Sequence, residues 1–391
     1  MARLRKVVTL CLFLWVVAGC YYTVPPTGAR AQMPLVRVRL TGVGPVVTVN
    51  SPQGLKLVCG SAHRSVAAEV PVRIAAANGL QVTVAGKTWQ RLTPPLVCEP
   101  AAGGRIRVGN RTYRGQLRVF PAADQGLVVV NVVGLEEYLY GVVPCEIGPI
   151  TPATLAAAKA QAVAARSFTL ARLAKRKGLS YQLSDSYLQD QEYQGAGRET
   201  ELARKAVDAT SGEVLYYHGV VAEALYHGNC GGVTADGPQP FLRSVPDTPG
   251  HRPRAKPFCA GSENFTWKMT LPRDSLERTV ARLGRTGFDR VLVRRCRLFR
   301  DRPGHRVVQL EFQTNKGVYR LSGADFRFAL GLKSQWFEMH LHRTSVTFIG
   351  RGWGHGMGLC QDGAVALARQ GYNYQQILNH YYPGVVLKRA Y

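Results

Sequence analysis

Two hydrophobic periods follow each other along the chain. From Leu35 to about Phe120, apolar positions recur at every second residue. Val36, Val38 and Leu40 alternate with Arg37 and Arg39, and Val46 to Val49 is a β-branched run. Val72-Arg73-Ile74, Leu80 to Val84 and Arg105 to Val108 continue the pattern, with Gly, Pro and Asn between runs. A period of two is that of a half-buried strand, so this stretch predicts a small antiparallel sandwich or barrel. Leu127 to Val133 is an unbroken apolar run that reads as a buried strand, leading through Gly134 into a short helix over Leu135 to Tyr140.

Helical signals then take over. Thr151 is placed to N-cap a helix and Pro152 suits its first turn; Leu155 to Arg172 is rich in Ala, with no internal Gly or Pro. Arg172, Lys175, Arg176 and Lys177 complement its negative end before Gly178. Further helices are predicted over Glu199 to Thr210, Ser275 to Leu283, Asp362 to Arg369 and Tyr374 to Tyr381. Strands are expected over Val214 to Tyr217 and Val220 to Tyr226, and a hairpin turns at Asn315-Lys316-Gly317. The fold class is therefore α+β. A β-rich N-terminal domain, 35–125, precedes a mixed α+β core, 126–391, which carries a basic inserted segment at about 251–306.

Composition narrows the function. The chain has 391 residues, of which 46% are hydrophobic, enough to build real cores and too many for disorder as its main state. Lys and Arg number 50 against 25 Asp and Glu, a formal charge of +25. Such an excess suits nucleic acid, a membrane surface or an anionic wall polymer. The N-terminus chooses among them. Arg3, Arg5 and Lys6 precede an apolar stretch, Val7 to Ala18, too short for a membrane span but of signal-peptide length. Residues 1–19 thus read as a signal peptide, and Val17-Ala18-Gly19-Cys20 as a lipobox with Cys20 as the lipidation site. Ala29-Arg30-Ala31 offers a competing cleavage site, and an uncleaved anchor is the third possibility. Residues 20–34, with Pro25-Pro26 and Gly28, read as a tether. Each version exports the protein, which removes nucleic acid as partner and leaves the envelope.

Outside the export segment seven cysteines remain: Cys59, Cys98, Cys145, Cys230, Cys259, Cys296 and Cys360. An odd number in an exported chain suggests a free thiol or a metal site. Cys59 and Cys98 sit at ends of predicted strands, where a disulfide is plausible. Pro144-Cys145-Glu146 falls between two predicted helices, where Glu146 either complements a helix dipole or works as an acid.

The text around Glu146 decides the matter. Val142-Val143-Pro144-Cys145-Glu146, followed by Leu155 to Phe168 (LAAAKAQAVAARSF), resembles the SpoIID/LytB family of bacterial cell-wall proteins. Asp190-Gln191-Glu192-Tyr193-Gln194-Gly195 is similar to its D-Q-x-Y-x-G element, and Tyr226-His227 with Cys230-Gly231-Gly232 to its His-Ser-x-x-Gly-Gly turn. Arg351 to Ala364 (RGWGHGMGLCQDGA) is similar to its most diagnostic run, and His380-Tyr381-Tyr382-Pro383-Gly384 closes the resemblance, which spans about Leu127 to Val385.

That resemblance implies lytic transglycosylase activity on peptidoglycan, or enhancement of a cell-wall amidase. It implies Glu146 as the catalytic acid/base, with Cys145 where the family usually has Ser or Ala. It also implies zinc held by His227 and Cys230. Cys259 and Cys360 are candidate further ligands, since thiolate and imidazole suit Zn²⁺, and a disulfide between two of these cysteines is the competing reading. The chemistry is consistent with a single carboxyl group. A hydrolysing glycosidase usually needs two, whereas a lytic transglycosylase uses the sugar's own C6 hydroxyl as nucleophile.

The remaining candidates are binders. His355 lies among glycines, Trp353 can stack on a sugar ring, and Gln191 and Tyr193 can meet glycan hydroxyls. Lys159 and Arg166, seven residues apart, share one helix face near Glu146, with Gln161 on another. Rival enzymes are a zinc peptidase, disfavoured by the lack of His-Glu-x-x-His, and a Cys–His hydrolase using Cys145 and His355. The expected partners are peptidoglycan strands, an amidase, and the membrane through the lipid anchor. The uneven charge, dense over His251 to Arg306 and absent as Lys or Arg from Leu127 to Ile150, is expected to serve docking more than catalysis.

Overall fold

The computed structural model describes residues 32–76, 79–123, 126–301 and 305–391. Residues 1–19, read above as a signal peptide, together with Cys20 and most of the expected 20–34 tether, lie outside the described residues. Among the described residues, no helix is long and apolar enough to cross a membrane.

The alternating N-terminal pattern folds into two sheets, of seven and six strands, that share one core. Val36, Leu57 and Val119 come from the first sheet, and Val49, Ile74 and Val82 from the second, all fully buried. The strand Leu35–Leu40 pairs antiparallel with Leu127–Gly134, which pairs in turn with Gln116–Pro121. A division at 125/126 therefore runs between two hydrogen-bonded neighbours. The far edge of Leu35–Leu40 takes a parallel partner, Leu183–Ser184, from the helical part of the chain. Cys59 and Cys98 are free, buried thiols, and the disulfide considered for them is not formed. Cys59 instead donates to the Thr93 carbonyl, 2.9 Å away.

Seven α-helices follow among the described residues. Helix α1 (Leu135–Ile147) runs a full two turns past the predicted end, through Pro144. Helix α2 (Leu155–Lys175) starts as its sequence indicates: Thr151 and Thr154 form a capping box around a short 3-10 turn, Pro152–Thr154. Its Ala residues leave little between backbones, so α1, α3 (Glu201–Asp208) and the strand Glu213–Tyr217 all pack directly on it. The predicted strand over Val220 to Tyr226 shrinks to two short pieces, Val220–Val221 and Tyr226–His227.

Beyond the turn Phe258–Gly261 the chain builds a unit with its own core of Trp267, Phe312, Phe326, Phe337 and Phe348. Two three-stranded sheets, α4 (Arg273–Leu283) and α5 (Gly323–Leu330) make up this unit, which extends well past residue 306 to the strand Ser345–Arg351. Its edge strand Val293–Arg300 exposes Arg294, Arg295 and Arg297, so the basic stretch forms a solvated face and also discourages edge pairing. Helices α6 (Gln361–Arg369) and α7 (Tyr374–Tyr381) return the chain to α2.

One buried ion pair ties α1 to α2. Arg166, with no exposed surface, donates from Nε and Nη2 to the two oxygens of Glu136 at 2.9 and 2.6 Å. It also donates to the carbonyls of Glu213 and Val207, while Glu136 accepts from Gly212 N–H and the Tyr391 hydroxyl. Arg166 thus holds the scaffold together and lines no groove. Removing one member leaves an unpaired charge in the interior, so Arg166→Met should cost about 3–5 kcal/mol in chemical denaturation. A loss of about 1 kcal/mol or less, as for a surface pair, would contradict this role.

Candidate active site

Glu146 stands in the last turn of α1, not in a loop ahead of the next helix. The difference reverses the electrostatics. The C-terminal end of a helix carries partial negative charge, so it opposes a carboxylate there instead of stabilising it. The side chain projects into a cavity of about 680 Å³ between the α1 end, the 187–192 loop, the Tyr226–Gly228 segment, α5 and the glycine-rich loop. The backbone N–H of Glu192 donates to Glu146 Oε1 at 2.7 Å, and Gln361 Nε2 lies 3.4 Å from Oε2. The Tyr226 hydroxyl sits beside the same carboxyl group. Burial outweighs these donors and pushes the Glu146 pKa up to about 7, with the neighbouring Glu192 charge adding to the rise.

Other carboxyl groups face the cavity but are engaged. Asp190 is paired with Arg176 at 2.9 Å and accepts from Ser184 N–H. Asp362 accepts from Asn229 Nδ2 at 2.9 Å, and Glu192 from the Gln194 amide at 2.8 Å.

The glycine-rich loop is gripped from both sides. Trp353 N–H and C=O both bond to Asn229, and Gly354 N–H donates to Lys333 C=O at 2.9 Å. Gly358 has φ of +68°, and a Cβ there would meet the Leu225 carbonyl at 2.0 Å, so only glycine permits this approach. His355 lines the cavity as a neutral ring. Its Nδ1 accepts from Met357 N–H at 3.0 Å, and burial together with nearby His227 brings its pKa down to about 3. It shapes the loop and is unsuited to carrying a proton at neutral pH. The Cys–His reading fails on the same grounds: Cys145 interacts with Arg198 and the Gln194 backbone, and burial raises its pKa.

Trp353 is 48% exposed at the cavity rim, joined there by Tyr187 at 67% and Phe328 at 60%. Lys333 Nζ lies over the Trp353 ring, 5.2 Å from its centroid, and the Arg327 guanidinium over Phe328 at 4.9 Å, so the open rings are cation-faced aromatic surface. The other proposed binders lie elsewhere. Tyr193 is buried, donates its hydroxyl to Asn131 Oδ1 at 2.9 Å and packs at a tilt against Tyr138, ring centroids 4.8 Å apart. Gln191 is fully buried and accepts from the Thr169 hydroxyl. Lys159 lies over the Tyr374 ring, 5.9 Å from its centroid. These three residues brace the loop and helices that present Glu146. On α2 it is Gln161 that reaches toward the acid, with Oε1 3.4 Å from the Gln361 amide.

Sequence reasoning missed Gln361 and Tyr226 as partners of Glu146, although both stand inside motifs it singled out. Tyr187, Phe328 and Arg327 carry no motif, and only the fold brings them to the rim. Of the implied zinc ligands, Cys230, Cys259 and Cys360 converge in a buried cluster, with Asp247 as an unforeseen member. His227 stands next to it, its Nδ1 3.0 Å from Met357 C=O and its side chain beside the Cys360 thiol, with Nε2 buried and, among the described residues, without a hydrogen-bond partner.

Fold and site together define an α+β protein with a buried carboxyl group, Glu146, raised in pKa to about 7 in an aromatic-rimmed groove. Residues 123–217, which hold Glu146 and α2, match the SpoIID family model, described as stage II sporulation protein. The matched span overlaps the stretch over which the motifs resemble that family. Stage II sporulation protein D of Bacillus subtilis is 28% identical over 299 residues, covering 70% of this chain and 78% of that protein. An uncharacterized protein of Brachyspira hyodysenteriae is 29% identical over 276 residues, covering 70% and 71%. The amidase enhancer of Bacillus subtilis is 27% identical, covering 64% of this chain and 40% of its own length.

The raised pKa has a thermodynamic consequence. Unfolding lets Glu146 return to its ordinary value near 4.5, so between about 4.5 and 7 the unfolded chain binds fewer protons and native stability falls as pH rises. Glu146→Gln lacks this penalty. Its stability relative to the parent should therefore increase by about 3 kcal/mol from pH 4.5 to 7.5 and then level off. Parallel denaturation curves at the two pH values would show no such divergence if the carboxyl group were solvated.

Proposed function

We propose that the protein is a lytic transglycosylase of bacterial peptidoglycan, with Glu146 as its single acid/base. The observation that carries this reading is the carboxyl group of Glu146, pushed up to about 7 in a groove rimmed by Trp353, Tyr187 and Phe328. A general acid must hold its proton near the working pH, which burial at a helix C-terminus achieves. Protonated Glu146 donates to the bridging oxygen as the C1–O bond of the muramyl unit breaks. The resulting carboxylate then takes the proton of that unit's C6 hydroxyl while O6 bonds to C1, closing a 1,6-anhydro ring. No water is consumed, and Glu146 ends protonated as it began. Gln361 and the Glu192 N–H steady the carboxylate between the two transfers.

The protein would act outside the cytoplasm, exported and lipid-anchored through Cys20, with its exposed arginines docking on anionic wall polymers. A second reading comes from the kinship with an amidase enhancer: a glycan-binding protein that stimulates an amidase without cutting glycan itself. The two readings differ in product. Glycan strands, with and without stem peptides, are incubated with the protein and analysed by mass spectrometry. The enzyme yields 1,6-anhydro-muramyl ends, and Glu146→Gln lowers their rate roughly 10²–10⁴-fold. Unchanged strands, or ends formed equally by the variant, would favour the binder.

A further inference from the structure

A second constellation lies behind the groove wall and takes no part in the glycan chemistry. The thiols of Cys230, Cys259 and Cys360 and one oxygen of Asp247 lie within 4.8 Å of one another, and all four residues are buried. Cys230 Sγ is 3.5 Å from Cys259 Sγ. A disulfide would bring the two sulfurs to about 2.05 Å. Two thiolates on one tetrahedral Zn²⁺, each about 2.3 Å from the metal, stand about 3.8 Å apart. The observed spacing belongs to the second arrangement.

The surroundings are those of metal-bound sulfur. Backbone N–H groups point at the thiols: Cys230 N–H at Cys360 Sγ (3.2 Å), Gly232 N–H at Cys230 Sγ (3.3 Å) and Gly363 N–H at Cys360 Sγ (3.4 Å). Such donors favour the thiolate, and the positive end of α6, which Cys360 caps, does the same. Asp247 is fixed by a second layer of contacts, accepting from the Tyr381 hydroxyl at 2.6 Å and from Cys259 N–H at 3.0 Å. Gly363 makes the approach possible, since a Cβ there would come within 2.8 Å of Asp247 Oδ1. Once deprotonated, three thiolates and a carboxylate this far from water would need a cation to offset their charge.

We infer that Cys230, Cys259, Cys360 and Asp247 bind one zinc-class divalent cation, with three thiolates and one carboxylate. The location gives the site a purpose. Cys259 lies just before the inserted unit begins at Thr266, and Cys360 just after it ends at Arg351. The cation staples both crossings to the Cys230 turn, and Cys360 fixes its neighbour Gln361 against Glu146. The role is structural, and it stands or falls independently of the transglycosylase reading.

The test uses the full chain purified without chelator. Metal analysis should give one zinc per chain. Reconstitution with Co²⁺ alone should produce thiolate-to-cobalt charge-transfer absorption with tetrahedral d–d bands, and metal removal should lower the melting temperature. X-ray absorption of the zinc form should show three sulfur neighbours and one oxygen, without the outer-shell pattern of imidazole. His227→Ala should keep the metal and the cobalt spectrum, whereas Cys259→Ser should lose a sulfur neighbour or the metal. A metal-free chain that fails to take up Co²⁺, a disulfide among the three cysteines, or imidazole scattering abolished by His227→Ala would each overturn the assignment. The wild-type spectra decide the question even if the cysteine variant does not fold.

Discussion

Glu146 carries its carboxyl group at the negative end of a helix, away from bulk water, and the fold around it keeps it there. Left to itself, such a group would turn outward or the helix would fray. Here the Glu192 N–H, Gln361 and Tyr226 surround it from three different parts of the chain. These donors favour the carboxylate, but burial outweighs them, so the proton stays on to higher pH. What holds these three in place is packing and buried polar contacts. Tyr193, beside Glu192, bonds to Asn131 in the strand Leu127–Gly134. Gln361 follows Cys360 at the start of α6. Arg166 and Glu136 lock α1 against α2.

That arrangement assigns different work to residues that look alike in sequence. Lys159, Arg166, Gln191 and Tyr193 stand in or near the motifs and are polar enough to bind sugar, yet all four are engaged in contacts within the scaffold. The groove's open surface comes from Trp353, Tyr187 and Phe328 instead. Phe328 belongs to the inserted unit, so that unit supplies a wall of the groove as well as the basic face. The sandwich, for its part, runs its strand Leu127–Gly134 straight into α1, which makes that helix a direct continuation of the sheet.

Much of this was legible beforehand. The period-two strands, the capped Ala-rich helix and the glycine-rich loop each announce themselves by local rules, and they formed close to where those rules put them. The motif around Glu146 pointed to the acid. What stayed hidden depends on long-range contact. Pro144 argued for a helix end, because proline forfeits a backbone bond, but α1 continues through it under tertiary support. The basic stretch concealed strands such as Val293–Arg300, where arginines occupy the solvent face of an edge. Asp247 has no motif and joins the cysteines only through the fold.

The most direct measurement is the titration of Glu146 itself. Carbon-13 NMR of the protein labelled at glutamate carboxyl groups, compared with Glu146→Gln, isolates its resonance and follows it with pH. A buried acid poised for proton transfer titrates with a midpoint near 7. A midpoint near 4.3, the ordinary value of a solvated glutamate, would contradict the claim that this groove holds a general acid.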